Sequence, residues 1–338
     1  TCIDDTNLPS NAAQATITIL TSDDANVIDL NGVNTNGNGF STTFTEDSAP
    51  IFVTDPGVKI TDVDSTSLST CEITLTNAVS GEGETLSIPA ADLSGISPSV
   101  TATYSNANTR ITLTGLQSIS VYEYLLSRVR YQSTSHNPTV IPSRRIDFVC
   151  TDDSNVVGLT STSIVQIVRT NDPPVVDLNG AQPGTEFTVV QFTENQPAGT
   201  FIIPSGLATI TDPDSTTLSR CLIQMNGIRN ADRSTEVLSI NNVVTPTTFF
   251  NIQATYDSAS GLLTVSGSET IARYAQLLNL ITYSSNTENT VSGTRTFSVQ
   301  CLDETSTLST PVSGSIEVTG VNDKPVVDLP GSSYTSTQ

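Results

Sequence analysis

Carboxylates recur along this chain in short patterns that could hold a metal ion. Thr170-Asn-Asp-Pro-Pro-Val-Val-Asp177 returns as Val321-Asn-Asp-Lys-Pro-Val-Val-Asp328, with a looser version at Asp23, Asp24 and Asp29. Phe44-Thr-Glu-Asp47 returns as Phe192-Thr-Glu-Asn195, and Thr61-Asp-Val-Asp64 as Thr211-Asp-Pro-Asp214. Asp152 and Asp303 each stand two residues after a cysteine. A hard divalent cation such as calcium takes about six to eight oxygen ligands, and an Asp-x-Asp turn offers two carboxylates on one side with a carbonyl between them. The balance of charge points the same way. Thirteen Lys and Arg stand against 34 Asp and Glu, a net charge of −21, so the acid must be solvated or met by cations from outside the chain. Nucleic acid and anionic membrane are poor partners for such a surface.

Other chemistries lack their residues. Five cysteines and a single histidine, His136, which reads as a surface residue in a turn, leave little for a zinc site or a histidine-based triad. There is no Gly-x-Ser-x-Gly elbow, Walker loop, His-Glu-x-x-His or Cys-x-x-Cys. The Gly-rich run Asn31 to Gly39 has no lysine and reads as a loop. Paired carboxylates could suggest a glycosidase, but pairs that recur in every unit beside linkers are not arranged like a single catalytic pair. The expectation is that the chain is not an enzyme. No apolar run approaches the ~18 residues of a membrane helix. The only Asn-x-Ser/Thr match, Asn137-Pro-Thr139, is blocked by its proline, so any sugar would be O-linked.

The elements that must position the acids come from an internal repeat. Cys2 to Gly32 aligns with Cys150 to Gly180, and a third copy begins at Cys301; Cys71 and Cys221 keep step. The expected division is residues 1–22, the last strands of a preceding repeat; 23–170 and 171–321, two complete repeats; and 322–338, the start of a following one. Runs at Ile73 to Leu75, Ser163 to Val168, Glu186 to Phe192 and Ser315 to Val318 carry β-branched and apolar residues between Gly, Pro, Asn and Asp, which are strand signals at sandwich spacing. Tyr122, Leu125, Leu126 and Val129 instead fall at helical spacing, as do Tyr274, Leu277, Leu278 and Ile281, predicting one short helix per repeat that plugs the core. The fold class expected is all-β, tandem sandwiches of about 150 residues.

Cys71 with Cys150, and Cys221 with Cys301, are separated by nearly equal stretches and are expected to form one disulfide per repeat. In the chain-entropy model a loop that long contributes roughly 4 to 5 kcal/mol. Disulfides imply an oxidising, extracellular setting. Cys2 is left over, its partner expected in a repeat outside the chain; an interchain disulfide is the competing reading.

The order Glu-Asn-x-Pro-x-Gly-Thr, Asp-x-Asp, an acidic turn after a strand, then Asn-Asp-x-Pro resembles cadherin repeats over essentially the whole chain. The resemblance implies calcium held at the junctions. The central set would be Glu46, Asn171, Asp172, Asp212, Asp214 and Asp303; the upstream set Asp23, Asp24, Asp62, Asp64 and Asp152; and the downstream set Glu194, Asn322 and Asp323. The units are longer than typical cadherin repeats, carry an added helix and disulfide, and lack an internal Asp-Arg-Glu, which implies fewer ions per junction. With no tryptophan to anchor strand exchange, the pattern is closer to large adhesins and matrix or appendage proteins. The expected role is a calcium-stiffened module of an extracellular fibre or adhesion protein, its partners other repeats of the same protein in homotypic or filament assembly. The alternative is an adhesin module that binds sugar or protein with calcium completing its site.

Overall fold

A computed structural model describes residues 2–19, 22–32, 36–187, 189–196, 198–203, 206–228, 233–242, 247–287 and 289–325. The chain divides into two compact units, Thr1–Thr170 and Asn171–Gln338. Of the following repeat expected at 322–338, the part beyond residue 325, with Asp328, lies outside the described residues.

The strands of unit 1, in order, are β1 (Val27–Asp29), β2 (Phe40–Thr45), β3 (Ile51–Phe52), β4 (Lys59–Thr61), β5 (Ser67–Leu75) and β6 (Thr85–Ser87). After helix α1 (Ala90–Ser94) come β7 (Thr101–Ser105), β8 (Arg110–Ser118), helix α2 (Ile119–Leu126), β9 (Arg130–Gln132), β10 (Arg144–Asp152) and β11 (Ser161–Val168). A six-stranded sheet of order β2-β11-β10-β5-β8-β7 stands with a three-stranded sheet, β3-β9-β6, and the pair β1-β4. β2 and β11 run parallel, and the other strand pairs of unit 1 among the described residues run antiparallel. Alternation in β5 and β10 turns Leu68, Cys71, Ile73, Ile146, Phe148 and Cys150 inward, all fully buried.

Unit 2 repeats this plan. Its elements are β12 (Val175–Asp177), β13 (Val190–Thr193), β14 (Thr200–Phe201), β15 (Thr209–Thr211), β16 (Thr217–Asn226), β17 (Glu236–Ile240), β18 (Thr247–Phe249) and β19 (Ile252–Asp257). Next come β20 (Leu262–Thr270), α3 (Ile271–Leu278), β21 (Ile281–Ser285), β22 (Gly293–Asp303) and β23 (Val312–Thr319). The large sheet runs β13-β23-β22-β16-β20-β19-β18, with β14-β21-β17 and β12-β15 beside it. The fold is all-β, as the alternation predicted.

Three details differ from expectation. The helices end at Leu126 and Leu278, so Val129 lies past one helix and Ile281 opens β21, though both are buried. Unit 1 has a second, five-residue helix, α1. The strand expected from Glu186 starts at Val190. The plug role of the longer helices is visible in Tyr122 and Tyr274, whose hydroxyls donate to the carbonyls of Gly115 and Gly267 at 2.7 Å. Those glycines sit at φ +148° and +147°, and a Cβ on Gly267 would lie 2.2 Å from the Asn251 carbonyl oxygen. Only glycine fits that contact.

Both disulfides form as paired from the sequence. Cys71 faces Cys150 across β5 and β10, and Cys221 faces Cys301 across β16 and β22. Each core also encloses an ionic group. Arg144, fully buried, pairs with Glu82 at 2.7 Å and with Glu84, to which Tyr131 also donates. In unit 2 Arg295 grips Glu236 through two nitrogens, at 2.6 and 2.9 Å. Phe44 on Tyr131, and Phe192 on Tyr283, make matching edge-to-face contacts beside them.

Candidate metal centres

A bulge at one end of each large sheet sets the geometry of the acidic cluster. The β5–β8 register slips between Leu68 and Thr70, and the β5–β10 register between Thr151 and Asp152. Ser69 reaches across to donate to the carbonyls of Thr151 at 3.2 Å and Asp152 at 2.7 Å. Ser219 does the same for Leu302 at 3.4 Å and Asp303 at 2.6 Å in unit 2. A bulge re-aims the residue beside it, and here that residue is the buried aspartate two positions after the second cysteine.

In unit 1 that aspartate, Asp152, accepts the Ser154 and Val156 amides on Oδ1, at 2.9 and 2.8 Å. Asp62, after β4, accepts the amides of Asp64 and Ser65 on its own Oδ1, at 3.2 and 2.9 Å. Asp64 in turn accepts the Asp24 amide at 3.2 Å, and Ser65 donates to Asp153 at 2.9 Å, tying the two loops together. Each turn spends one oxygen on backbone and leaves the other over. Oδ2 of Asp23, of Asp62 and of Asp152 is buried without a hydrogen-bond partner.

Unit 2 builds a continuous version. Asn171 donates to Asp303 Oδ2 at 2.6 Å and to the Thr307 hydroxyl at 2.7 Å. The Asp172 amide donates to Asp214 Oδ2 at 3.2 Å, and the amides of Asp214 and Ser215 donate to Asp212 Oδ1 at 3.2 and 2.8 Å. Asp212 Oδ2 and Asp214 Oδ1 are buried and unpartnered. None of Asp23, Asp62, Asp64, Asp152, Asp212, Asp214 or Asp303 is ion-paired with Lys or Arg among the described residues.

Electrostatics reflect this crowding. Desolvation pushes the Asp212 carboxyl up to about 6; the Ser215 amide pulls it down and the Asp214 carboxylate adds to the rise. Asp64 is raised by desolvation and by the carboxylates of Asp23 and Asp62, against the pull of the Asp24 amide. Asp303 goes the other way: burial would lift it, but donors from Asn171, Thr307 and Thr305 together outweigh that and hold it below the usual range. Carboxylate oxygens buried without donors fit a cation chemically, each costing roughly 1–3 kcal/mol if left unsatisfied. Within either unit no three acidic side chains bring an oxygen each within 4.8 Å of one another among the described residues, so closing on an ion requires side-chain rotation.

The glutamates stand elsewhere. Glu46, buried just after β2, accepts the Thr170 amide at 2.9 Å. Glu194 accepts the amides of Thr290 at 2.6 Å and Val321 at 2.7 Å, and these donors outweigh burial to hold its carboxyl low. The β10–β11 and β11–β2 registers put Glu46 at the opposite end of the large sheet from Asp152, a β10 length away, or about 30 Å. Within unit 1, therefore, Glu46 is not part of the aspartate cluster. Asn322 and Asp323 lie beside Glu194's end; Asp323 accepts from Asn195 at 3.2 Å. The Asp29 carboxylate caps the Asn31 amide at 3.1 Å, as Asp177 caps that of Asn179 at 2.8 Å. His136 is exposed and pairs with Asp47 at 3.0 Å. Sequence reasoning missed Asp153, although its place next to Asp152 in an acidic turn was a signal.

No family model matches the chain, and no curated protein matches it. Solved structures resemble it at low similarity. They include Drosophila N-cadherin EC1-3, with 11% identity and a TM-score of 0.20, covering 88% of this chain and 69% of that one. The major pilin subunit BcpA of Bacillus cereus gives 11% and 0.25, over 89% and 71%. The sialic acid binding region of a Streptococcus sanguinis adhesin gives 11% and 0.22, over 92% and 82%.

Proposed function

We propose that this chain is a structural segment of an extracellular adhesion or fibre protein, in which calcium binds the aspartate cluster at one end of each sandwich and stiffens the path into the repeat. The observation that carries it is the set of buried carboxylate oxygens without a hydrogen-bond partner, on Asp23, Asp62 and Asp152 in one unit and on Asp212 and Asp214 in the other. Two internal disulfides support secretion. Partners would be other repeats of the same protein in a homotypic or filament array.

Calcium titration followed by calorimetry and thermal unfolding tests this. Extracellular modules bind calcium at about 0.1–1 mM, so 10 mM calcium should raise the melting temperature by about 4 to 8 °C per occupied unit. Asp212→Asn with Asp214→Asn should remove the unit 2 response and leave that of unit 1. Neither heat nor a thermal shift in the native chain would sink the proposal.

A further inference from the structure

Three hairpins in this chain are built alike. The bridges Ile3–Pro9, Thr151–Val157 and Leu302–Leu308 occupy the same place after a cysteine. In each, the residue eight positions on returns its amide to the cysteine carbonyl: Ser10 to Cys2 at 2.7 Å, Gly158 to Cys150 at 2.8 Å and Ser309 to Cys301 at 2.9 Å. Asp4 accepts the amides of Thr6 and Leu8 as Asp152 accepts those of Ser154 and Val156. Asn7, Asn155 and Ser306 share a left-handed φ of 67°, 71° and 71°. The Cys2 and Cys301 amides even donate to matching serine hydroxyls, Ser10 and Ser309, both at 2.9 Å.

Beyond the hairpin the three copies diverge. In two of them the chain continues as a sheet strand, β11 or β23, pairing antiparallel on one side and parallel on the other. In the first copy, residues 12–19 belong to no strand and are exposed. Ile17 aligns with Val165 and Ile316, and Ile19 with Ile167 and Val318. The isoleucines are 85% and 84% exposed, whereas their four counterparts are 0–6% exposed. Two β-branched side chains in the register that their counterparts turn inward, here exposed among the described residues, constitute an unsatisfied core face of about half a strand.

We infer that Cys2–Ile19 is the closing hairpin and strand of a third sandwich, and that the surface it fits is a repeat body of this same architecture. That body offers a β2-type strand for parallel pairing, an apolar floor for Ile17 and Ile19, and a β5-type cysteine for Cys2. The chain's own two units show what covers such a strand. Disulfide formation there joins two thiols with loss of two electrons and two protons to an external thiol oxidant, the chemistry that made Cys71–Cys150 and Cys221–Cys301.

The test grafts the segment into a body of known fold. In the full chain, the 19 residues 150–168 are replaced by the sequence of residues 2–20, keeping Gly158 because a Cβ there would lie 2.1 Å from Asn26 Oδ1. The graft should unfold cooperatively, with its cysteine bonded to Cys71 on peptide mapping. Its strand amides should exchange at least 100-fold more slowly than residues 13–19 in the native chain. A second graft carrying aspartate in place of both isoleucines should lose that protection. If Cys71 stays alkylatable in the first graft while Cys221–Cys301 remains intact, the segment is not a closing strand and the inference fails. Equal protection in both grafts overturns it too, because the isoleucines would then be doing nothing at the interface.

Discussion

Asp212 gives the acidic cluster a measurable signature at the scale of one residue. Its folded carboxyl is raised to about 6 from an ordinary value of 3.8. Between those values the folded state holds more protons than the unfolded one, so stability falls as pH rises through that window. Without divalent ions, unit 2 should melt at a higher temperature at pH 5 than at pH 7.5. With 10 mM calcium, which competes with the proton, the order should reverse, and Asp212→Asn should flatten the ion-free dependence. Asp303 and Glu194, held low by their donors, act below their ordinary values of 3.8 and 4.5 and so outside the span from pH 5 to 7.5. A thermal melt series over pH checks this; an ion-free melting point that climbs from pH 5 to 7.5 would contradict it. The residue types were readable from the sequence because Asp-x-Asp turns announce themselves by spacing. The buried Arg144–Glu84 and Arg295–Glu236 pairs were not. About 60 residues separate their members, and nothing local distinguishes a core arginine from a surface one. Such pairs add little net stability against an apolar replacement, but removing one partner costs about 3–5 kcal/mol.

Elements were legible where period or pairing is local. The strand runs of β5 and β11, the cysteine spacing and the helical stripes of α2 and α3 all appeared in the sequence, because each is set by side chains a few residues apart. The bulges at Ser69 and Ser219, which re-aim Asp152 and Asp303, depend on cross-strand register and left no such trace. The same holds for the tight passage of Gly267 beneath Asn251. Gly267→Ala places a Cβ 2.2 Å from a backbone oxygen at a φ of +147°, which must displace β19 or the start of α3. Chemical denaturation should register a loss of about 1–3 kcal/mol confined to unit 2. Unit 1, with its own core and disulfide, should keep its transition midpoint. A variant as stable as the parent would mean the Tyr274–Gly267 contact does not hold the helix to its sheet.

At the scale of the whole molecule, the proposed stiffening would act where Thr170 and Asn171 pass from unit 1 to unit 2. The Thr170 amide is held by Glu46 within unit 1, and the next residue, Asn171, is held by Asp303 within unit 2. Pro173 and Pro174 then fix two φ angles and restrict Asp172 before them. Asn171 and Asp172 both donate into the unit 2 cluster, whose electrostatic state a bound ion would change. Unscreened carboxylates repel, and an ion among them would turn that repulsion into attraction. Small-angle scattering of the native chain should therefore give a longer, narrower distance distribution in 5 mM calcium than after chelation. Asp212→Ala with Asp214→Ala should resemble the chelated profile at every calcium concentration. Added 0.5 M sodium chloride separates the two causes, because general screening at a Debye length of about 4 Å should not restore the calcium profile if a bound ion is responsible. Profiles that coincide with and without calcium would remove the stiffening role and favour the adhesin reading, in which calcium completes a binding site for sugar or protein.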